Sequence, residues 1–179
     1  MLYPEIVIAG CGNPLFADDG FGPAVAEELK KLTLPDNVKV EDAGLGGPHF
    51  IFTLLDPGVT KKLVIVDIAD FGAEPGEITK LRVEDLPPGA YRDAHSWDLA
   101  EPLNRLKDDI DITIIGCQPK KVTAPEFEIG LSDEIVKAIP KTIRVVLETI
   151  GVDYGTTIYA QEEGCQHGTA KGSGSPESS

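Results

Sequence analysis

Three residues in this chain have side chains suited to holding a divalent cation at a reaction centre: Asp19, Asp67 and His95. Two carboxylates and one imidazole suit a borderline ion such as Zn²⁺ or Ni²⁺. Three protein ligands leave coordination positions open for water or substrate, the usual catalytic arrangement. Each residue also has a plain structural reading. Asp19 precedes a helical segment, as a cap would. Asp67 ends a strand, and His95 sits in a loop where an imidazole is commonly solvated.

Other candidates point away from chemistry. Gly10-Cys11-Gly12-Asn13-Pro14-Leu15 opens like a dinucleotide loop but lacks the third glycine, and no GK[ST] follows. Asp18-Asp19 would also repel a phosphate there. Cys11 and Cys117 end apolar runs and read as buried small hydrophobes. Cys165 and His167 have ligand spacing but lie in a Gly-rich tail. Asp18 and Asp70 read as field-tuning or water-facing carboxylates, and His49 as a residue near a helix start. No GxSxG elbow or cysteine-histidine protease signature is present, so a covalent nucleophile is not expected.

The elements that must position Asp19, Asp67 and His95 alternate along the chain. Residues 6–9 and 63–66 are continuous apolar runs, typical of parallel strands covered on both faces. Residues 37–42 alternate like an outer strand, 77–83 like another, and 112–115 supply the last. A helix from Gly20 carries Val25, Leu29 and Leu32 on one face. A second opens near Pro48, with Phe50, Ile51, Leu54 and Leu55 as its apolar face and Pro57-Gly58 as its stop. A third spans residues 97–106, with Pro102 implying a kink or a late start. Ser132 is a suitable N-cap for the last helical region, which Pro140 is expected to divide. Strands alternating with helices imply a mostly parallel sheet with helices on both faces. Ligands bind such sheets beyond the carboxyl ends of the strands. Asp19, Asp67 and His95 are expected to converge at that edge.

The 179-residue length suits one domain over residues 1–155, followed by a polar, flexible tail over 156–179. The net charge of −14 and pI of about 4.5 argue against nucleic acid and an anionic membrane surface. They suit cations or a basic partner peptide. No apolar run reaches the ~20 residues of a membrane span, and no signal peptide is visible. Three widely spaced cysteines form no disulfide framework, so a cytoplasmic setting is expected.

These motifs, in order, resemble one family. Gly10-x-Gly12-Asn13-Pro14-Leu15-x-x-Asp18-Asp19-Gly20-x-Gly22 is similar to the opening motif of the hydrogenase maturation proteases. Val66-Asp67, His95, Gly116-x-Gln118-Pro119 and Gly130-Leu131-Ser132 follow as they do there. The segment from Asp42 to His49 resembles the branch serving coenzyme F420-reducing hydrogenases. The resemblance implies a three-layer αβα fold with a twisted, mostly parallel five-stranded sheet. It implies an endopeptidase that removes the C-terminal extension of a nickel-loaded [NiFe]-hydrogenase large-subunit precursor, its partner. By position the metal-contacting and catalytic set falls on Asp19, Asp67 and His95, with nickel supplied by the substrate, or zinc, as the ion. Many relatives carry Glu where Asp19 stands, so this ligand is one methylene shorter. A non-catalytic nickel chaperone for hydrogenase assembly would use the same residues without cleavage. A small-molecule binding domain with structural carboxylates is a third reading.

Overall fold

A computed structural model of the chain describes residues 3–44, 47–85, 100–155 and 157. Five strands form one sheet: β1 (Ile6–Gly10), β2 (Val38–Asp42), β3 (Lys62–Ile68), β4 (Ile78–Leu81) and β5 (Asp111–Cys117). Their order is β2-β1-β3-β5-β4. All pairs are parallel except β4 with β5, which is antiparallel. The mostly parallel sheet expected from the sequence is therefore present, with β2 and β4 as its edges. The main helices are α1 (Phe21–Lys30), α2 (Gly47–Thr53), α3 (Ala100–Leu106) and α4 (Asp133–Thr149).

The period of two along each strand builds a core on each face of the sheet. Ile8, Val64, Val66, Ile115 and Cys117 pack with α1 and α4 through Val25, Leu29, Ile135 and Leu147. Val7, Ala9, Leu63, Ile65, Ile112 and Ile114 point the other way, against Ile51 and Leu55 near α2 and Leu103 of α3. This is the three-layer αβα arrangement. Both faces are covered, which is why β1 and β3 read as unbroken apolar runs.

Four expectations about helices change. Asp19 does not cap α1: a 3-10 turn over Asp18–Gly20 intervenes, and Gly20 is the N-cap. Phe50 is on the outside of α2, whereas Ile51 is fully buried. That helix ends at Thr53, before Pro57-Gly58. Pro140 does not divide the last helix, for α4 runs unbroken through it. Ile135 and Ala138 before the proline, and Ile143, Val146 and Leu147 after it, are buried on the same core. Packing on both sides of Pro140 outweighs the lost N–H, worth ~3 kcal/mol in an exposed helix. Val136, whose carbonyl the proline deprives of its donor, is half exposed to water. Pro102 lies in α3, which is described from Ala100 to Leu106, and residues 97–99 of the expected helix lie outside the described residues. The tail from residue 158 onward lies outside the described residues, as do Cys165 and His167.

Helix α1 sits unusually close to the sheet. A Cβ on Gly22 would strike the carbonyl oxygens of Cys11 and Val66, and one on Gly10 would strike the carbonyl of Gly22. Backbone meets backbone there, and only glycine allows it. Gly22→Ala is expected to destabilise the protein by about 1–3 kcal/mol. At ~2–4 °C per kcal/mol for a chain of this length, thermal unfolding should show a drop of roughly 2–12 °C. An unchanged melting temperature would contradict this packing.

Candidate active site at the carboxyl edge of the sheet

The register sets the geometry. Gly10 pairs with Asp42 on one side and Val66 on the other. The Cys11 N–H then donates to the Val66 carbonyl at 2.8 Å, so Cys11 stands beside Asp67 at the end of the sheet. Asp67 itself pairs with Gly116 of β5, and its Oδ1 accepts the N–H of Ile68 at 2.7 Å.

The chain leaving β1 folds back over this end. Gly12 adopts φ +118°, and a Cβ there would strike the carbonyl of Asp19. This close approach brings the Asn13 N–H to 2.9 Å from Asp19 Oδ2. Asp19 and Asp67 are each only 8% exposed.

Cys11 reports the convergence electrostatically. Burial pushes its thiol well above the ordinary value, and the carboxylates of Asp67, Asp42 and Asp19 push it further. Three negative charges therefore act on one buried sulfur. A raised pKa disfavours the thiolate. Cys117, also buried, is pushed up to about 12, chiefly by burial and then by Asp18. Both cysteines are free thiols, as small buried hydrophobes were expected to be.

Asp18 has a role that the sequence reading missed. It is fully buried rather than facing water. Its Oδ2 accepts the N–H groups of Lys120 and Lys121 at 2.9 and 2.8 Å and the Ser132 hydroxyl at 3.0 Å. Its Oδ1 accepts the Ser132 N–H at 2.7 Å. Ser132 holds the N-cap position of α4 as expected, but its hydroxyl goes to Asp18 rather than to the helix. Asp18 thus ties the turn bearing Asp19 to the loop after β5 and to the start of α4. The signal was its place inside the Asp18-Asp19-Gly20-x-Gly22 motif, beside a residue of the same type.

Gln118 holds the loop that follows β3. Its Oε1 accepts the N–H groups of Phe71 and Ala73 at 2.9 and 3.2 Å. Its Nε2 donates to Asp70 Oδ1 at 3.1 Å. The loop leaving β3 is held by these bonds, and Asp70, though exposed, belongs to them.

Asp19 and Asp67 are both buried at this end of the sheet, and both carboxylates act on the Cys11 thiol. Among the described residues no three acidic, histidine or cysteine side chains form a metal-binding group. His95, the expected nitrogen donor, lies outside the described residues, as does Trp97. Asp19 and Asp67 fit as the oxygen part of such a donor set.

Comparison with known proteins decides the family. The model of the hydrogenase maturation protease family (HycI) matches residues 23–149. The chain belongs to the hydrogenase maturation protease family. It is 47% identical over 152 residues to a protein of Methanothermobacter thermautotrophicus named coenzyme F420 hydrogenase subunit delta, covering 83% of this chain and 96% of that one. Hydrogenase maturation protease structures share its fold. The hydrogenase 2 maturation peptidase from a Thaumarchaeota archaeon superposes with a TM-score of 0.61 at 31% identity, covering 83% of this chain and 99% of that one. The hydrogenase maturating endopeptidase HybD from E. coli superposes with a TM-score of 0.67 at 26% identity, covering 82% and 91%. As a member of this family, the chain is a hydrolase of the endopeptidase type. No helix among its described residues is long and apolar enough to cross a membrane.

Two expectations about this protease follow from the buried groups. Asp18→Asn places an amide donor among backbone N–H donors, and should cost about 1–3 kcal/mol in chemical denaturation, the scale of leaving buried groups unsatisfied. Wild-type stability would contradict the clamp. The second concerns pH. Cys117 keeps its proton to about 12, whereas an ordinary thiol loses it near 9.0. Between those values the unfolded chain binds fewer protons than the folded one, so stability falls as pH rises. The melting temperature should decline across that window, and less steeply in Cys117→Ala. Equal slopes would remove Cys117 from the effect.

Proposed function

We propose that this protease removes the C-terminal extension of a nickel-loaded [NiFe]-hydrogenase large-subunit precursor, that of a coenzyme F420-reducing hydrogenase. The observation that carries the reading is the pair Asp19 and Asp67, buried together around Cys11 at the carboxyl edge of the sheet. The name of the Methanothermobacter relative supports the choice of hydrogenase.

In this reading nickel belongs to the substrate. Asp19 and Asp67 offer carboxylate oxygens to it and His95 offers a nitrogen, so a precursor without nickel lacks the contact that seats its scissile bond. The reaction is hydrolysis: water adds to the peptide carbonyl, the C–N bond breaks, and the departing amine takes a proton. The sequence carries no GxSxG elbow or cysteine-histidine signature, so water is the nucleophile in this reading. Zinc held by the isolated protein on the same three residues is the alternative cofactor, which metal analysis of the purified protein distinguishes. Two free thiols among the described residues suit a reducing compartment, the cytoplasm.

Asp67→Asn keeps the shape but removes a charge, and His95→Ala removes the nitrogen donor. Both variants should stay folded yet process the nickel-loaded precursor slower by on the order of 10²–10³-fold, the scale of losing one electrostatic contact to a transition state. Wild-type protein should leave the nickel-free precursor intact. Full processing by both variants would refute the site. Equal cutting of the nickel-free precursor would refute the nickel requirement. Stable nickel binding without any cleavage would make the protein a chaperone instead.

A further inference from the structure

Beside the site, the loop after β5 returns as an extended segment with one edge open. Glu128 donates its N–H to the Leu15 carbonyl at 2.9 Å and accepts the Ala17 N–H at 2.6 Å. Residues 127–129 thus lie parallel to residues 15–17, and Ala17 also bridges Val122. In an extended segment successive residues direct their N–H and C=O groups to opposite edges. Glu128 spends both of its groups on residues 15–17. Those of Phe127 and Ile129 turn outward, where no partner among the described residues takes them.

The same stretch carries exposed apolar side chains. Ile129 is 81% exposed and Phe127 76%, and Val122 and Leu15 are also exposed. Phe127 is nonetheless held in place, stacked on buried Phe16 with ring centroids 5.8 Å apart. Phe16 and Ala17 lead directly into Asp18 and Asp19. Open backbone groups and ordered apolar side chains together are the features by which a sheet edge captures an extended peptide. Apolar side chains this exposed and this close together mark an interaction site.

We propose that residues 127–129 form a docking edge for the substrate polypeptide. An extended segment of it pairs with Phe127 and Ile129 and packs apolar side chains against Leu15, Val122, Phe127 and Ile129. The inference rests on the peptidase reading above for the identity of that polypeptide. Two facts favour a substrate segment over a second copy of this chain. Glu128, in the middle of the edge, is bridged to Phe16, three residues before Asp19, so the edge lies against the segment that leads into the carboxylate-bearing turn. The net charge of −14 opposes self-association and favours a segment that also carries basic residues.

The test titrates the purified nickel-loaded large-subunit precursor of the F420-reducing hydrogenase into the full-length protein and follows binding by calorimetry and cleavage separately. Phe127→Ser/Ile129→Ser should weaken binding about tenfold or more, and Ile129→Ser alone should weaken it measurably. Val136→Ser, an exposed apolar position on α4, should bind as wild type does. Amide exchange at Phe127 and Ile129 should slow when the precursor binds. Unchanged affinity in the double variant overturns the proposal. Unslowed exchange overturns the strand pairing. Sedimentation showing a wild-type dimer that the double variant breaks would give the face to a second copy and overturn it too. Binding without cleavage would sink the peptidase reading while leaving the docking edge standing. Cleavage with undiminished binding by the double variant would do the reverse.

Discussion

The carboxylate of Asp18 lies fully buried with four hydrogen bonds, and the geometry of the site depends on it. A buried charge of this kind is tolerated only when its lone pairs are filled. Here they are filled by Lys120 and Lys121, just past β5, and by Ser132, at the start of α4. The turn after β1 is therefore tied at one point to two stretches more than a hundred residues further along the chain. The 3-10 turn over Asp18–Gly20 cannot shift without breaking several charge-assisted bonds at once. Asp19, the next residue, inherits that fixed position. Ala17 on the other side shows the constraint: it holds φ +56°, a conformation a non-glycine residue avoids, between its bonds to Glu128 and Gly20.

A second constraint is the sheet itself. Parallel pairing of β1 with β3 puts the ends of both strands at one level, so Cys11 and Asp67 become neighbours without any loop having to bring them together. Glycines 10, 12 and 22 then let α1 and the β1 exit close down on that end. Asp19 and Asp67 are both buried there, and both carboxylates act on the Cys11 thiol. The close packing that stabilises the domain and the electrostatics that prepare the site thus have one origin.

Much of this was legible in the sequence. The apolar runs of β1 and β3, the alternation of β2 and the end-of-strand position of Asp67 follow from periodicity, and they fix the edge of the sheet at which Asp67 sits. The contribution of Asp18 was not legible, because its partners at Lys120, Lys121 and Ser132 lie more than a hundred residues away and are mostly backbone groups. No residue-type pattern records such bonds. Pro140 misled for a related reason: helix propensity is local, whereas the burial of Ile135, Ala138, Val146 and Leu147 that carries α4 through it is tertiary. Asp19 misled as a cap because Asp18, not the following helix, determines where the turn sits. His95 was chosen for its imidazole and its place in the loop before the third helix, and its position is not among the described residues.

The two adjacent aspartates show how one turn can assign opposite tasks to identical side chains. Both carboxylates sit on consecutive residues of a 3-10 turn, so they leave the backbone in different directions. One is directed into the protein, toward α4 and the loop after β5. The other is directed toward the exit of β1, where it accepts the Asn13 N–H. That contact suits the short arm of aspartate. A glutamate at position 19 would carry its carboxylate one methylene beyond the N–H that now holds it. With aspartate, the loop must come to the carboxylate, and the positive φ of Gly12 is what brings it. The length of one side chain and the glycine seven residues before it are therefore a matched pair.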